Sequence, residues 1–200
     1  MGSEKKAPVL TMGQFKAVVA IAHTQSQGAR NVALLFFSVA LGLRAKELSK
    51  LLVRDVLFPD GRIKDEILLT RTTTKGGKQR LLYLSNTEVR RALGHYIKER
   101  RGKEVILNPK SALFLSRKGG GFSPNTMQML FKRLYRQAGI EAASSHSGRR
   151  TFATALIEKG VDIKAISTLM GHSSIAMTAR YVDDNPIKLR RVCEDVDCGV

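Results

Sequence analysis

Residues 144–181 read SSHSGRRTFATALIEKGVDIKAISTLMGHSSIAMTARY, and the rest of the chain is best understood outward from them. Three short helical patterns follow one another, over 147–159, 163–170 and 174–181, with breaks at Gly160 and Gly171. Phe152, Leu156, Ile166 and Leu169 recur at helical spacing and read as core. His146 and Arg149 stand three residues apart at a helix start, so both side chains leave on one face. A helix N-terminus also offers unpaired N–H groups and the positive end of its dipole, which favour a phosphate. His172 follows Gly171 at another helix start, and Tyr181 comes nine residues later, near the end of that helix.

Upstream, the pattern stays largely helical. Residues 10–23 form a helix that Thr11 can cap, with Gln14 three residues on as in a capping box. Residues 29–43 are strongly apolar and read as a buried helix. After Gly42, residues 44–52 resume with Leu48, Leu51 and Leu52 on one face. Three strand-like pieces follow, 53–58, 62–70 and 79–84, with Pro59-Asp60-Gly61 and Gly76-Gly77 between them, which predicts a small antiparallel meander. Helices return over 86–101 and, opened by Ser123-Pro124, over 123–138. The expected fold class is mostly α (α+β), with a small three-stranded antiparallel sheet. It forms one domain over 1–182, and the tail, 183–200, holds one more short helix at 187–196.

Of 200 residues, 34 are Lys or Arg and 17 are Asp or Glu, so the formal net charge is +17 and a polyanion is the default partner. A hydrophobic content of 43% is enough for a real core and argues against disorder. Nucleic acid stands first among polyanions and an anionic membrane surface second; with no Trp and only 6% aromatic residues, stacking on unpaired bases is a poor candidate for the main binding mode. The longest apolar run, 32–43, falls short of the roughly 20 residues that span a bilayer. The N-terminus lacks an apolar stretch of signal-peptide type, so no membrane association and a cytoplasmic location are expected. Cys193 and Cys198 lie in the tail without ligand spacing, so neither a disulfide scaffold nor a metal site is expected.

The ordered set of motifs resembles the tyrosine recombinases, also called phage integrases, over nearly the whole chain. The family's His-x-x-Arg box is matched by His146 and Arg149 in HSGRRTFAT, its Leu-Met-Gly-His motif ends at His172, and its tyrosine box ends at Tyr181. Its Gly-Leu-Arg-x-x-Glu-Leu motif is matched by Gly42-Leu43-Arg44 and Glu47-Leu48, and its hairpin lysine by Lys75 in TKGGKQR. The His-to-Arg, Arg-to-His and His-to-Tyr spacings of 3, 23 and 9 agree with the family. Two positions depart from it: Ser147-Gly148 stands where many members have leucine, and Arg150 where many have histidine.

The chemistry of these residue types agrees with what the resemblance implies. Negative charge deepens on phosphate oxygens during in-line displacement, and Arg44 and Arg149 can each fork two N–H donors onto them. His172 adds a donor, and His146 is either a further donor or the base for Tyr181. A phenol with an ordinary pKa near 10 needs a base or a strongly cationic site before it attacks. Tyr181 is then the nucleophile, Lys75 protonates the departing sugar oxygen, and Glu47 orients Arg44. The resemblance implies a 3′-phosphotyrosine and a free 5′-hydroxyl, no metal or other cofactor, and a homo-oligomer of four protomers acting on two duplexes.

Further basic residues are expected on DNA: Lys78 and Arg80 beside Lys75, Lys132, Arg133 and Arg136 on a helix that the family places against the duplex, and Arg150. Contacts of this kind set affinity and salt dependence rather than base choice. Arg90, Arg91, Lys98, Arg100 and Arg101 read as a solvated helix face. The tail helix, with Val192 and Val196, resembles the family's final helix and either docks on a neighbouring protomer or packs in cis. Only about ten residues precede the first helix, so the family's N-terminal core-binding domain is expected to be absent. The chain is then either a catalytic fragment or a minimal recombinase. The competing reading is a non-catalytic DNA-binding module or recombination regulator that retains the fold. A type IB topoisomerase-like relaxing activity shares the same chemistry.

Overall fold

In the computed structural model, which describes residues 7–70, 79–102 and 106–181, the nearly all-apolar helix α2 (Gly28–Leu41) is the axis of the fold. A helix that is apolar on most sides must be covered on most sides. Here α1 (Met12–His23), α3 (Ala45–Lys50), α5 (Thr87–Arg101) and α7 (Ser145–Glu158) all pack on it, and α6 (Pro124–Gln137) closes the layer against α1, α3 and α7. At the centre, the ring of Phe37 meets Phe114 edge-on at 5.5 Å, and Tyr96 stacks on Phe114 at 5.6 Å.

Local chemistry sets the helix starts. The Thr11 hydroxyl accepts the Gln14 N–H while the Gln14 side chain accepts the Thr11 N–H, the reciprocal cap expected from the sequence. Ser123 caps α6 through the Thr126 N–H, with Pro124 in the first turn. Ser144 starts α7 by accepting the His146 N–H, so that helix begins two residues before the expected start. Helix α2 stops at Gly42, whose φ of +61° is left-handed and whose missing Cβ would lie 2.5 Å from the Phe152 ring.

The sheet is smaller than the sequence suggests. Among the described residues it has two strands, β1 (Glu66–Leu69) and β2 (Arg80–Tyr83), antiparallel with Leu69 opposite Arg80. The segment expected as the first strand is the one-turn helix α4 (Val53–Val56). The Asp55 carboxylate accepts the Leu52 N–H at 2.8 Å, and Val53, Val56 and Leu57 are buried at i, i+3 and i+4. Pairing nearby is reduced to isolated bridges, Leu57 with Ile63 and Leu52 with Ala112.

A second, smaller apolar cluster gathers Ala153, Ile166 and Met170 with Phe152, Leu156, Ile157, Val161 and Tyr181. It fixes α8 (Ile163–Met170) against α7, and α9 (Ile175–Ala179) in turn packs on α8. Among the described residues no helix is long and apolar enough to cross a membrane. Lys75, Lys78 and the expected tail helix with Val192 and Val196 lie outside the described residues.

Candidate active site

The turn from α2 into α3 delivers Arg44. Glu47, completely buried one turn into α3, accepts the Arg44 backbone N–H on Oε2 at 2.8 Å and the Arg44 Nη1 on Oε1 at 2.8 Å. Glu47 thus holds the backbone and the side chain of Arg44 at once. The same Oε2 also receives Nη2 of Arg80 at 2.6 Å. Arg44 keeps its other N–H groups without a partner among the described residues, and its side chain is 16% exposed.

Arg149 approaches from α7. Its Nη1 donates to the Gly42 carbonyl at 2.6 Å and its Nη2 to the Met170 carbonyl, so the end of α2 and the end of α8 are held by one guanidinium. The start of α7 comes close enough to α2 because residue 148 is glycine; a Cβ there would lie 2.2 Å from the Ser38 Oγ. Burial, with Arg44 and Arg80 nearby, lowers the Arg149 pKa, and Glu47 offsets part of that shift.

Gly171, left-handed at φ +61°, ends α8 and presents His172. The His172 Nδ1 lies 2.8 Å from the Oγ1 of Thr178, a fully buried residue of α9. When that hydroxyl donates to Nδ1, the ring proton sits on Nε2, ready to be donated. Burial first, then Arg149, Arg44 and Arg80, push the His172 pKa down to about 4, so the ring is neutral at physiological pH. The Tyr181 ring lies parallel to it, 5.9 Å away with 4° between planes, and is partly buried against the second apolar cluster.

Three guanidinium groups thus converge around one carboxylate, beside a neutral imidazole and a phenol. Two positive charges in this buried group have no counter-charge in Glu47, an arrangement that is costly on its own and is relieved by a bound anion.

A sequence profile of the phage integrase family matches residues 8–187. The chain belongs to this family. It is 30% identical over 174 residues to the tyrosine recombinase XerC of Pelobacter propionicus, covering 86% of this chain and 53% of that protein. It is 31% identical over 194 residues to XerA of Pyrococcus horikoshii, covering 92% and 60% respectively. Among solved structures, a XerA recombinase superposes with a TM-score of 0.73 at 26% identity, over 96% of this chain and 65% of that one. A Tn1549 transposon integrase in complex with transposon right end DNA superposes with 0.72 at 26% identity, over 96% and 66%. This phage integrase family chain therefore spans between about half and two thirds of the length of these relatives.

Of the sequence-derived positions, the family member brings Arg44, Glu47, Arg149, His172 and Tyr181 together. His146 lies exposed in the first turn of α7, three residues from Arg149, while Lys75 and Lys78 lie outside the described residues. Lys132, Arg133 and Arg136 are exposed on α6, where all three, with Arg30 and Arg117, line a cavity of about 710 Å³ that no carboxylate lines. Arg150 is half-buried, and its Nε has no partner among the described residues.

Arg80 requires a correction. Expected on DNA, it is 6% exposed and commits both Nη groups inward, to Glu47 and to the Leu169 carbonyl. Its strand shows why: Arg80 and Leu82 share the inward face of β2. Arg100, expected on a solvated face, is likewise buried and donates to the Ala112 and Leu113 carbonyls. Thr178 escapes sequence reasoning because a threonine whose histidine partner stands six residues away carries no distinctive pattern.

Proposed function

We propose that the chain is the catalytic part of a site-specific DNA recombinase that cleaves and rejoins double-stranded DNA through a 3′-phosphotyrosine. The observation that carries this reading is the buried cationic excess of Arg44, Arg80 and Arg149 over Glu47, with Tyr181 stacked on the neutral ring beside it. The Tyr181 Oη attacks phosphorus as its proton passes to His146. The bond from phosphorus to the 5′ oxygen breaks, and Lys75 protonates that oxygen. Arg44, Arg149 and the Nε2 proton of His172 meet the charge that develops on the non-bridging oxygens. A preorganised donor of this kind contributes about 3–4 kcal/mol to the barrier reduction. Because the linkage energy is kept in the phosphotyrosine, the free 5′-hydroxyl of a second strand reverses the step without a further energy source.

The DNA partner follows from the net charge of +17 and from family relatives solved on DNA, and the assembly proposed on it is four copies on two duplexes. A library of nicked suicide duplexes with randomised core sequence tests the reading, because loss of the short strand traps the intermediate. Wild-type protein is expected to give an SDS-stable protein–DNA adduct, and Tyr181→Phe none. DNA binding without any adduct across the library would favour the non-catalytic DNA-binding module, and relaxation of plasmids lacking a selected site would favour a topoisomerase.

A further inference from the structure

Between the carboxylate behind Arg44 and the turn under His172 there is one side chain that touches both. Arg80, the first residue of β2, donates Nη2 to Glu47 Oε2 at 2.6 Å and Nη1 to the Leu169 carbonyl at 2.7 Å. Leu169 belongs to the last turn of α8, three residues before His172. The stem of Arg80 fills the space over Gly171, where a Cβ would stand 2.7 Å from its Cδ. Each end of this bridge is completed by another arginine: Glu47 holds Arg44, and Arg149 takes the next carbonyl of α8, Met170.

Such a bridge needs a planar fork. One guanidinium reaches two acceptors in two directions, whereas a lysine ammonium at the same place is a single point charge on a longer search. Arg80 also lies five residues along the chain from Lys75, so the strand leaving the lysine's segment is anchored into the same cluster.

We propose that Arg80 is a positioning residue, which holds Arg44 and His172 in mutual register by bridging Glu47 to the end of α8, and does not contact DNA. Its field supports the same arrangement, since its charge is one of those that keep the His172 ring neutral.

The rate readout of this inference rests on the recombinase reading; the titration readout does not. The variants are Arg80→Lys, which keeps stem and charge but loses the fork, and Arg80→Met, which loses both. Affinity is measured by fluorescence anisotropy on a labelled duplex. Cleavage is measured as single-turnover adduct formation at saturating suicide duplex recovered from the library with wild-type protein. His172 is titrated by NMR in the DNA-free chain. Both variants are expected to bind within about two-fold of wild type while adduct formation slows by about 100-fold, the scale of a misplacement near 1 Å. In Arg80→Met the His172 midpoint is expected to rise from its low wild-type value.

Wild-type cleavage rates in both variants would overturn the inference, as would a loss confined to affinity. Loss of a cooperative melt in both variants would assign Arg80 to the core and overturn it as well. Absence of any adduct from the wild type counts against the recombinase reading instead. In that case the titration decides: a raised His172 midpoint in Arg80→Met supports the bridge, and an unchanged one removes it.

Discussion

At the residue scale, His172 is the side chain whose altered protonation bears most directly on the proposed chemistry. Burial and three neighbouring guanidinium groups all oppose its protonation and bring its pKa from 6.5 to about 4. The unfolded chain takes up a proton near 6.5 that the folded chain refuses until about pH 4. Stability associated with this group is therefore complete above about 6.5 and lost as the pH falls through about 4. NMR titration of the DNA-free chain is expected to place the His172 midpoint near 4, and a midpoint at or above 6.5 would contradict the buried cationic cluster. Replacing Thr178 by Val removes the hydroxyl beside Nδ1 and frees the tautomer; it should slow cleavage about ten-fold, the scale of one neutral hydrogen bond, with binding unchanged. Arg44, Arg149, His172 and Tyr181 are legible in the sequence because their types and spacings are unusual together. Arg80 and Thr178 are not, because their roles lie in what they touch across 89 and six residues of chain.

At the scale of elements, the site depends on how closely α7 lies on α2, since that distance lets Arg149 reach the Gly42 carbonyl. Gly148 faces the buried Ser38, whose Oγ would stand 2.2 Å from an added Cβ. Gly148→Ala is expected to cost about 1–3 kcal/mol in urea denaturation. Ser38→Ala in the same chain should recover part of that loss, because the crowding atom is gone. An additive double variant would show that the two helices do not meet there. The helices themselves are legible from their periodicity and caps, Thr11 with Gln14 and Ser123 with Pro124. The segment 53–58 reads as a strand because its valines favour strands, whereas Asp55 closes a turn on the Leu52 N–H and buries Val53, Val56 and Leu57 together. A four-residue helix is too short to show a period of its own.

At the scale of the whole molecule, the charge of +17 divides into distinct kinds of cation. Arg44 and the buried Arg149 are the cations proposed for the phosphate, while Arg80 and Arg100 are buried as forks onto Glu47 and onto the Ala112 and Leu113 carbonyls. Lys132, Arg133 and Arg136 remain exposed on α6, around a cavity lined without carboxylates, and suit a phosphate backbone. Changing all three to Ala should flatten the dependence of log affinity on log salt by nearly one unit for each phosphate no longer neutralised, about three in all, while leaving the cleavage rate at saturation intact. An unchanged slope would move the duplex to another face. The central claim is that Tyr181 carries the DNA during the reaction, and peptide mapping of the trapped adduct tests it most directly. Trypsin cuts after Arg180 and Lys188, so the nucleotide should be found on the peptide YVDDNPIK, joined through the Tyr181 oxygen. Nucleotide on any other peptide, or an adduct that persists in Tyr181→Phe, would contradict the account.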